Sequence, residues 1–164
     1  MARAVRRAGP HRAGARDQLG QAYARFRRIN QEFLATCTEW QLVAPGILND
    51  PSDEQHDAAV IGHLERLHAV VMPICTELAA SFARFDSYPI RFTTALARVQ
   101  AGDTDWFLRP LLDSYHTVWF ELHEHLLASL GLDRATETQT STQTSETQTS
   151  ETQTSETQTS ETQT

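Results

Sequence analysis

Two acid–histidine pairs are where this sequence could do chemistry. Glu65-x-x-His68 and Asp113-x-x-His116 each set a carboxylate and an imidazole three residues apart. On an α-helix that spacing puts both groups on one side, about one turn apart. Helical carboxylate proteins build dinuclear metal centres from Glu-x-x-His on two helices and one further Glu on each of two others. The remaining ligands of such a set are missing here. The helical stretch 89–100 contains no acid, and Glu32 and Glu39 lie off the centre of the apolar stripe of theirs. The metal alternative is therefore a site on Glu65, His68, Asp113 and His116, or a single metal or haem held by His68, His116 or His123, since imidazole suits several metals.

A second chemistry uses the same histidines without a metal. His116 and His123 stand seven residues apart in the most apolar stretch, and Asn30 sits in the middle of another apolar face. Apolar walls with a few convergent polar groups are what a small-ligand pocket needs. Tyr23, Asn30, Trp40, His68, Tyr115, His116, Trp119 and His123 are its candidate lining. The simpler expectation is structural: His116 and His123 are core-edge residues that hydrogen-bond Asn30, Tyr115 or a backbone carbonyl. His123-Glu124-His125 is not a metalloprotease motif, because that motif sets its histidines four apart on one helix face. No nucleophile elbow, phosphate loop or dinucleotide fingerprint occurs, and no catalytic residue is assigned. Cys37 and Cys75 both fall on apolar helical faces and read as small buried hydrophobes.

The elements that must position these residues are helices. Residues 106–130 repeat apolar side chains at about 100° per residue, with Leu108, Leu111, Leu112, Tyr115, Trp119, Leu122, Leu126 and Leu130 on one side, widened by Phe120 and Leu127. This predicts one continuous helix capped by Asp103 or Thr104 and stopped by Gly131, with Ser114 on its polar side. An amphipathic helix is expected from about Asp17 to Leu42. Residues 43–51, punctuated by Pro45-Gly46 and Asn49-Asp50-Pro51, read as a loop. Ser52 with Gln55 three residues later fits a capping box for the next helix. Pro73 is expected to kink or interrupt that helix near residues 69–72. A shorter helix over 89–100 ends at Ala101-Gly102. The expected fold is all-α: an up-down-up-down four-helix bundle with a kinked second helix and disordered termini.

Composition bounds the domain to residues 17–135. Residues 1–16 hold five arginines and no acid. From Thr136 onward the chain contains only Thr, Ser, Gln and Glu, with SETQT four times in a row from Ser145. Nothing apolar there offsets the entropy of ordering, so both ends are expected to be disordered. The body carries nine arginines against sixteen acids, which argues against direct nucleic-acid binding by the folded part. The Arg-rich leader could supply only weak, non-specific binding. No secretory signal and no uninterrupted apolar run of the ~18 residues that span a membrane are present, so the expected location is cytoplasmic.

Three segments carry a family resemblance: residues 37–42 (CTEWQL), 48–50 (LND) and above all 113–124 (DSYHTVWFELHE). They resemble the actinobacterial helical domain found C-terminal to a winged-helix module in MarR-like transcriptional regulators. The likeness covers roughly residues 18–134, and the winged helix itself has no counterpart here. It implies a regulatory or effector-sensing role and no catalytic chemistry. The expected partner of such a sensor or interaction domain is a small-molecule effector, or a second copy in a homodimer formed through the wide apolar face of residues 106–130.

Overall fold

The computed structural model describes residues 10–49 and 53–132 of the chain. It is all-α apart from one two-stranded hairpin. Helix α1 spans Pro10–Gln41. It starts seven residues before the expected Asp17, at a proline, which the first turn of a helix tolerates because its N–H has no intrahelical partner. The second half of the Arg-rich leader, expected to be disordered, thus belongs to this helix. Residues 1–9 and 133–164, including the SETQT repeats, lie outside the described residues.

The expected loop after α1 is a hairpin, β1 (Leu42–Ala44) and β2 (Ile47–Leu48), with Ala44 opposite Ile47. Pro45-Gly46 forms its tip, and Gly46 takes a positive φ of 77°, as the third position of a type II turn requires. Helix α2, Glu54–Ser81, is capped by the Asp53 carboxylate, which accepts the His56 N–H at 3.0 Å. Ser52, expected to be the cap, lies outside the described residues. Pro73 does not interrupt α2. Its ring is on the exposed side, while Val71, Ile74, Cys75 and Leu78 are buried around it and hold the helix in place. By length and composition alone α2 could cross a membrane, and one third of that window is buried.

A 3₁₀ turn at Ala83–Phe85 leads into α3, Tyr88–Gln100. Gly102 ends α3 with φ 89°. Its N–H bonds Val99 O, and the Asp103 N–H bonds Arg98 O, both at 3.0 Å, the paired bonds of a Schellman stop.

The expected helix over 106–130 is two helices, α4 (Asp105–Leu108) and α5 (Tyr115–Leu130). Pro110 is the cause. The residue before a proline is pushed out of the α region, and Arg109 sits at φ −67°, ψ 120°. Two assignments fail with the continuous helix. Leu111 is 92% exposed instead of facing the core, and Ser114, expected on the polar side, is buried. The Ser114 hydroxyl caps α5, accepting the Thr117 N–H at 3.3 Å. Phe120, expected to widen the apolar face, is 48% exposed.

The chain divides into two compact units, 1–126 and 127–164. In the first, side-chain partners run in opposite order along neighbouring helices. Gln18 meets Ser81, Arg25 pairs with Glu77, and Glu39 with His63, for α1 and α2. Tyr23 meets His123, Phe26 meets Trp119, and Phe33 meets Tyr115, for α1 and α5. Phe26, Phe33, Leu64, Phe92, Tyr115 and Leu122 form its fully buried centre. In the second unit, residues 127–132 carry the end of α5: the Leu132 N–H bonds Leu127 O at 3.0 Å around Gly131 (φ 68°).

Candidate functional site

The aromatic centre of the first unit is built mainly by two helices, with Phe92 of α3 packed against it. From α1, Phe26, Asn30 and Phe33 follow at helical spacing; from α5, Tyr115, Trp119 and His123 do the same. The Phe33 and Trp119 rings stack at 4.1 Å with 17° between planes, and Phe26 tilts against Trp119 at 4.9 Å. A buried indole must give its N–H to something. Trp119 Nε1 donates to Asn30 Oδ1 at 2.9 Å. The expectation that Asn30 needs a partner inside an apolar face is met by Trp119, not by His116 or His123.

Tyr115, fully buried, lies 5.0 Å from the Phe92 ring and 5.9 Å from Phe33. Its hydroxyl is 3.2 Å from His68 Nδ1 on α2. Burial pushes the Tyr115 phenol well above its ordinary range, with Cys75 adding to the effect, so it keeps its proton. Burial also lowers His68. A neutral imidazole with its lone pair on Nδ1 is the acceptor that proton needs.

His123 is buried between Tyr23 (6.2 Å) and Phe26 (5.3 Å). His116 stacks on Phe33 at 6.2 Å, and burial lowers its pKa. Its other side lines a recess of about 290 Å³ with Leu34, Cys37, Thr38, Gln41 and Leu108. Trp40 packs edge-on to Phe107 at 4.9 Å and, among the described residues, makes no ring contact with the other candidates. The structure therefore gathers Tyr23, Asn30, His68, Tyr115, His116, Trp119 and His123 around one aromatic core. It uses the polar atoms of Asn30, His68, Tyr115 and Trp119 in internal bonds, and gives His116 an open recess.

The proposed metal ligands are not brought together. Glu65 accepts a hydrogen bond from Gln100 at 2.6 Å. Asp113 precedes α5 and takes both oxygens to Arg91, with Arg91 Nε 3.0 Å from each. The break at Pro110 removes the helix on which Asp113 and His116 would share a face. Among the described residues no group of three or more His, Cys, Asp or Glu side chains is placed to hold a metal. Cys75 is buried, Cys37 is half-buried, and burial pushes both thiols up to about 12, so neither supplies a thiolate near neutral pH.

Two polar clusters escaped sequence reasoning. His125 Nδ1 lies 3.1 Å from the Tyr88 hydroxyl, and the ring stacks on Phe85 at 4.4 Å. At the end of α1, His56 Nε2 donates to Glu39 O at 2.8 Å, and Asn49 Nδ2 to Trp40 O at 3.2 Å. The Asn49 N–H meets Gln41 O at 2.8 Å. These bonds satisfy carbonyls that a helix C-terminus leaves open. The signal for them was an Asn shortly after the last apolar repeat and a His one turn into the next helix.

Compared with known protein families, curated proteins and solved structures, the chain matches no family model, no curated protein and no solved structure.

Proposed function

We propose that the helical body is a non-enzymatic, effector-sensing regulatory domain that takes a small molecule in the recess beside His116. The observation that carries this reading is the position of His116. Its ring is backed by Phe33, and its free side shares an open volume with Leu34, Leu108 and the polar groups of Thr38 and Gln41. Apolar walls and a few polar groups are the ordinary make-up of such a site. Leu108 ends α4 and His116 lies in the first turn of α5, so an occupant touches both sides of the Pro110 break. Differential contact with such a link is how a ligand shifts a conformational equilibrium. The likeness of residues 113–124 to the helical domain of MarR-like regulators supports the regulatory role, and the four-helix up-and-down order with α4 as an added turn is part of the same reading. Two thiols and no disulfide accord with a cytoplasmic setting.

Screening of small fragments by thermal shift tests this. Hits are expected to raise Tm in the full chain and to lose that effect in Leu108→Trp, which fills the recess. A ligand present at 100 times its Kd stabilises by about 2.7 kcal/mol. Hits that act equally on both proteins overturn the reading. Self-association belongs to the same proposal, favoured by the half-exposed Phe120. Size-exclusion chromatography is expected to show a dimer that Phe120→Glu dissociates; a monomer at all concentrations removes it.

A further inference from the structure

A second recess, of about 350 Å³, lies between α1 and α2, away from His116. Each helix contributes four residues at the same spacing: Glu32, Ala35, Thr36 and Glu39 from α1, and His63, Arg66, Leu67 and Val70 from α2. That spacing is one continuous face of a helix, so the recess is the groove where two such faces meet. Thr36 and Leu67 are buried and form its floor, and Val70 leaves half its surface bare.

The charges in this groove are not all spent. Glu39 Oε2 and His63 Nδ1 pair at 2.8 Å. Among the described residues, the Arg66 guanidinium has no hydrogen-bond or ion-pair partner, and neither does the Glu32 carboxylate. Elsewhere these helices join their charges across the interface, as Arg25 and Glu77 do. Here one cation and one anion border the same open volume without meeting, and the apolar surface of Ala35, Leu67 and Val70 lies in the groove with them.

We infer that this groove binds a small zwitterion, with an anionic end on Arg66, a cationic end on Glu32 and an alkyl body over Val70 and Leu67. Arg66 offers a planar fork that matches a carboxylate. Glu32 accepts from an ammonium, and the apolar floor takes the methylenes. A purely anionic ligand leaves Glu32 unmatched, and a purely cationic one leaves Arg66 unmatched. The site stands independently of the His116 recess.

The test uses ε-aminocaproate, with caproate and hexylamine as its one-charge counterparts, titrated into the full chain and followed by amide chemical shifts. ε-Aminocaproate is expected to bind at least ~10-fold more tightly than either counterpart, with shifts concentrated in residues 32–39 and 63–70. Arg66→Gln is expected to weaken ε-aminocaproate and caproate but not hexylamine. Glu32→Gln is expected to weaken ε-aminocaproate and hexylamine but not caproate. Both side chains are exposed, so the variants are expected to keep the parent urea midpoint; should Arg66→Gln fail to fold, Arg66→Lys, which keeps the charge and loses the fork, takes its place. Equal binding of the three probes, no saturable shift in those residues, or variants indistinguishable from the parent overturns the inference.

Discussion

Removing the indole nitrogen of Trp119 would leave Asn30 Oδ1 without its donor. Trp119→Phe keeps most of the apolar volume and deletes that one N–H. The expected loss is about 1–3 kcal/mol, the cost of an unmatched polar group in an apolar setting, read from the urea midpoint. In a double-mutant cycle with Asn30→Ala the two losses should be clearly non-additive; strict additivity would mean that the contact contributes nothing. The histidines give a second prediction. Burial lowers His68, His116 and His125, the last also through Arg84, from the ordinary value of 6.5. The unfolded chain then takes up protons near pH 6.5 that the folded chain refuses until lower pH. Stability is therefore complete above about pH 6.5 and declines as the pH falls through and below it. Urea midpoints measured between about pH 7 and pH 5 should fall, and the fall should be shallower with His68 and His125 replaced by Gln. At this scale the need of Asn30 for a partner was legible in the sequence, and the identity of that partner was not. A half-buried Asn on an apolar helical face announces that it needs a partner. Which side chain answers depends on how α1 and α5, far apart in sequence, are rotated against each other.

At the scale of elements, the punctuation residues decide most outcomes. Gly102 and Gly131 were legible as helix stops because their positive φ is open to glycine and costly to other residues. Gly102→Ala should cost about 1–2 kcal/mol, whereas Gly20→Ala, inside α1 with open space around its Cβ position, should stabilise by about 0.5–1 kcal/mol. Thermal unfolding of the two variants should therefore move in opposite directions. Pro73→Ala should raise stability by about 2 kcal/mol, restoring a missing donor on the exposed side of a helix that is already continuous. An unchanged or lower Tm would show that the proline ring packs where the fold needs it. The break in the last apolar stretch was the main misreading. Periodicity over residues 106–130 outweighed Pro110, although a proline inside a helical pattern removes a donor and disfavours the helical region for its predecessor. Pro73 and Pro110 differ in what surrounds them. Pro73 is flanked by buried residues on a long helix, while Pro110 follows a single turn, α4, too short to impose its geometry.

For the whole molecule, charge is the property that sequence and structure read alike. Eight of the fourteen arginines lie in the first 28 residues, where Asp17 is the only acid. α1 carries this basic stretch from Pro10 onward into the helix that packs on α2. There Arg25 is already engaged by Glu77, and Arg27 lies over the Tyr23 ring. The remainder of the chain is strongly acidic, so a polyanion meets attraction at one end only. A few arginine–phosphate contacts give binding that depends steeply on salt and carries no sequence information. The full chain should thus retard duplex DNA weakly at low ionic strength, equally for unrelated sequences. The retardation should vanish near physiological salt and in a variant with Arg3, Arg6, Arg7 and Arg12 replaced by Gln. Retention of binding in that variant, or preference for one sequence, would move the contact to the helical body, whose nine arginines are outnumbered by sixteen acids and whose Arg25 and Arg91 are held by carboxylates.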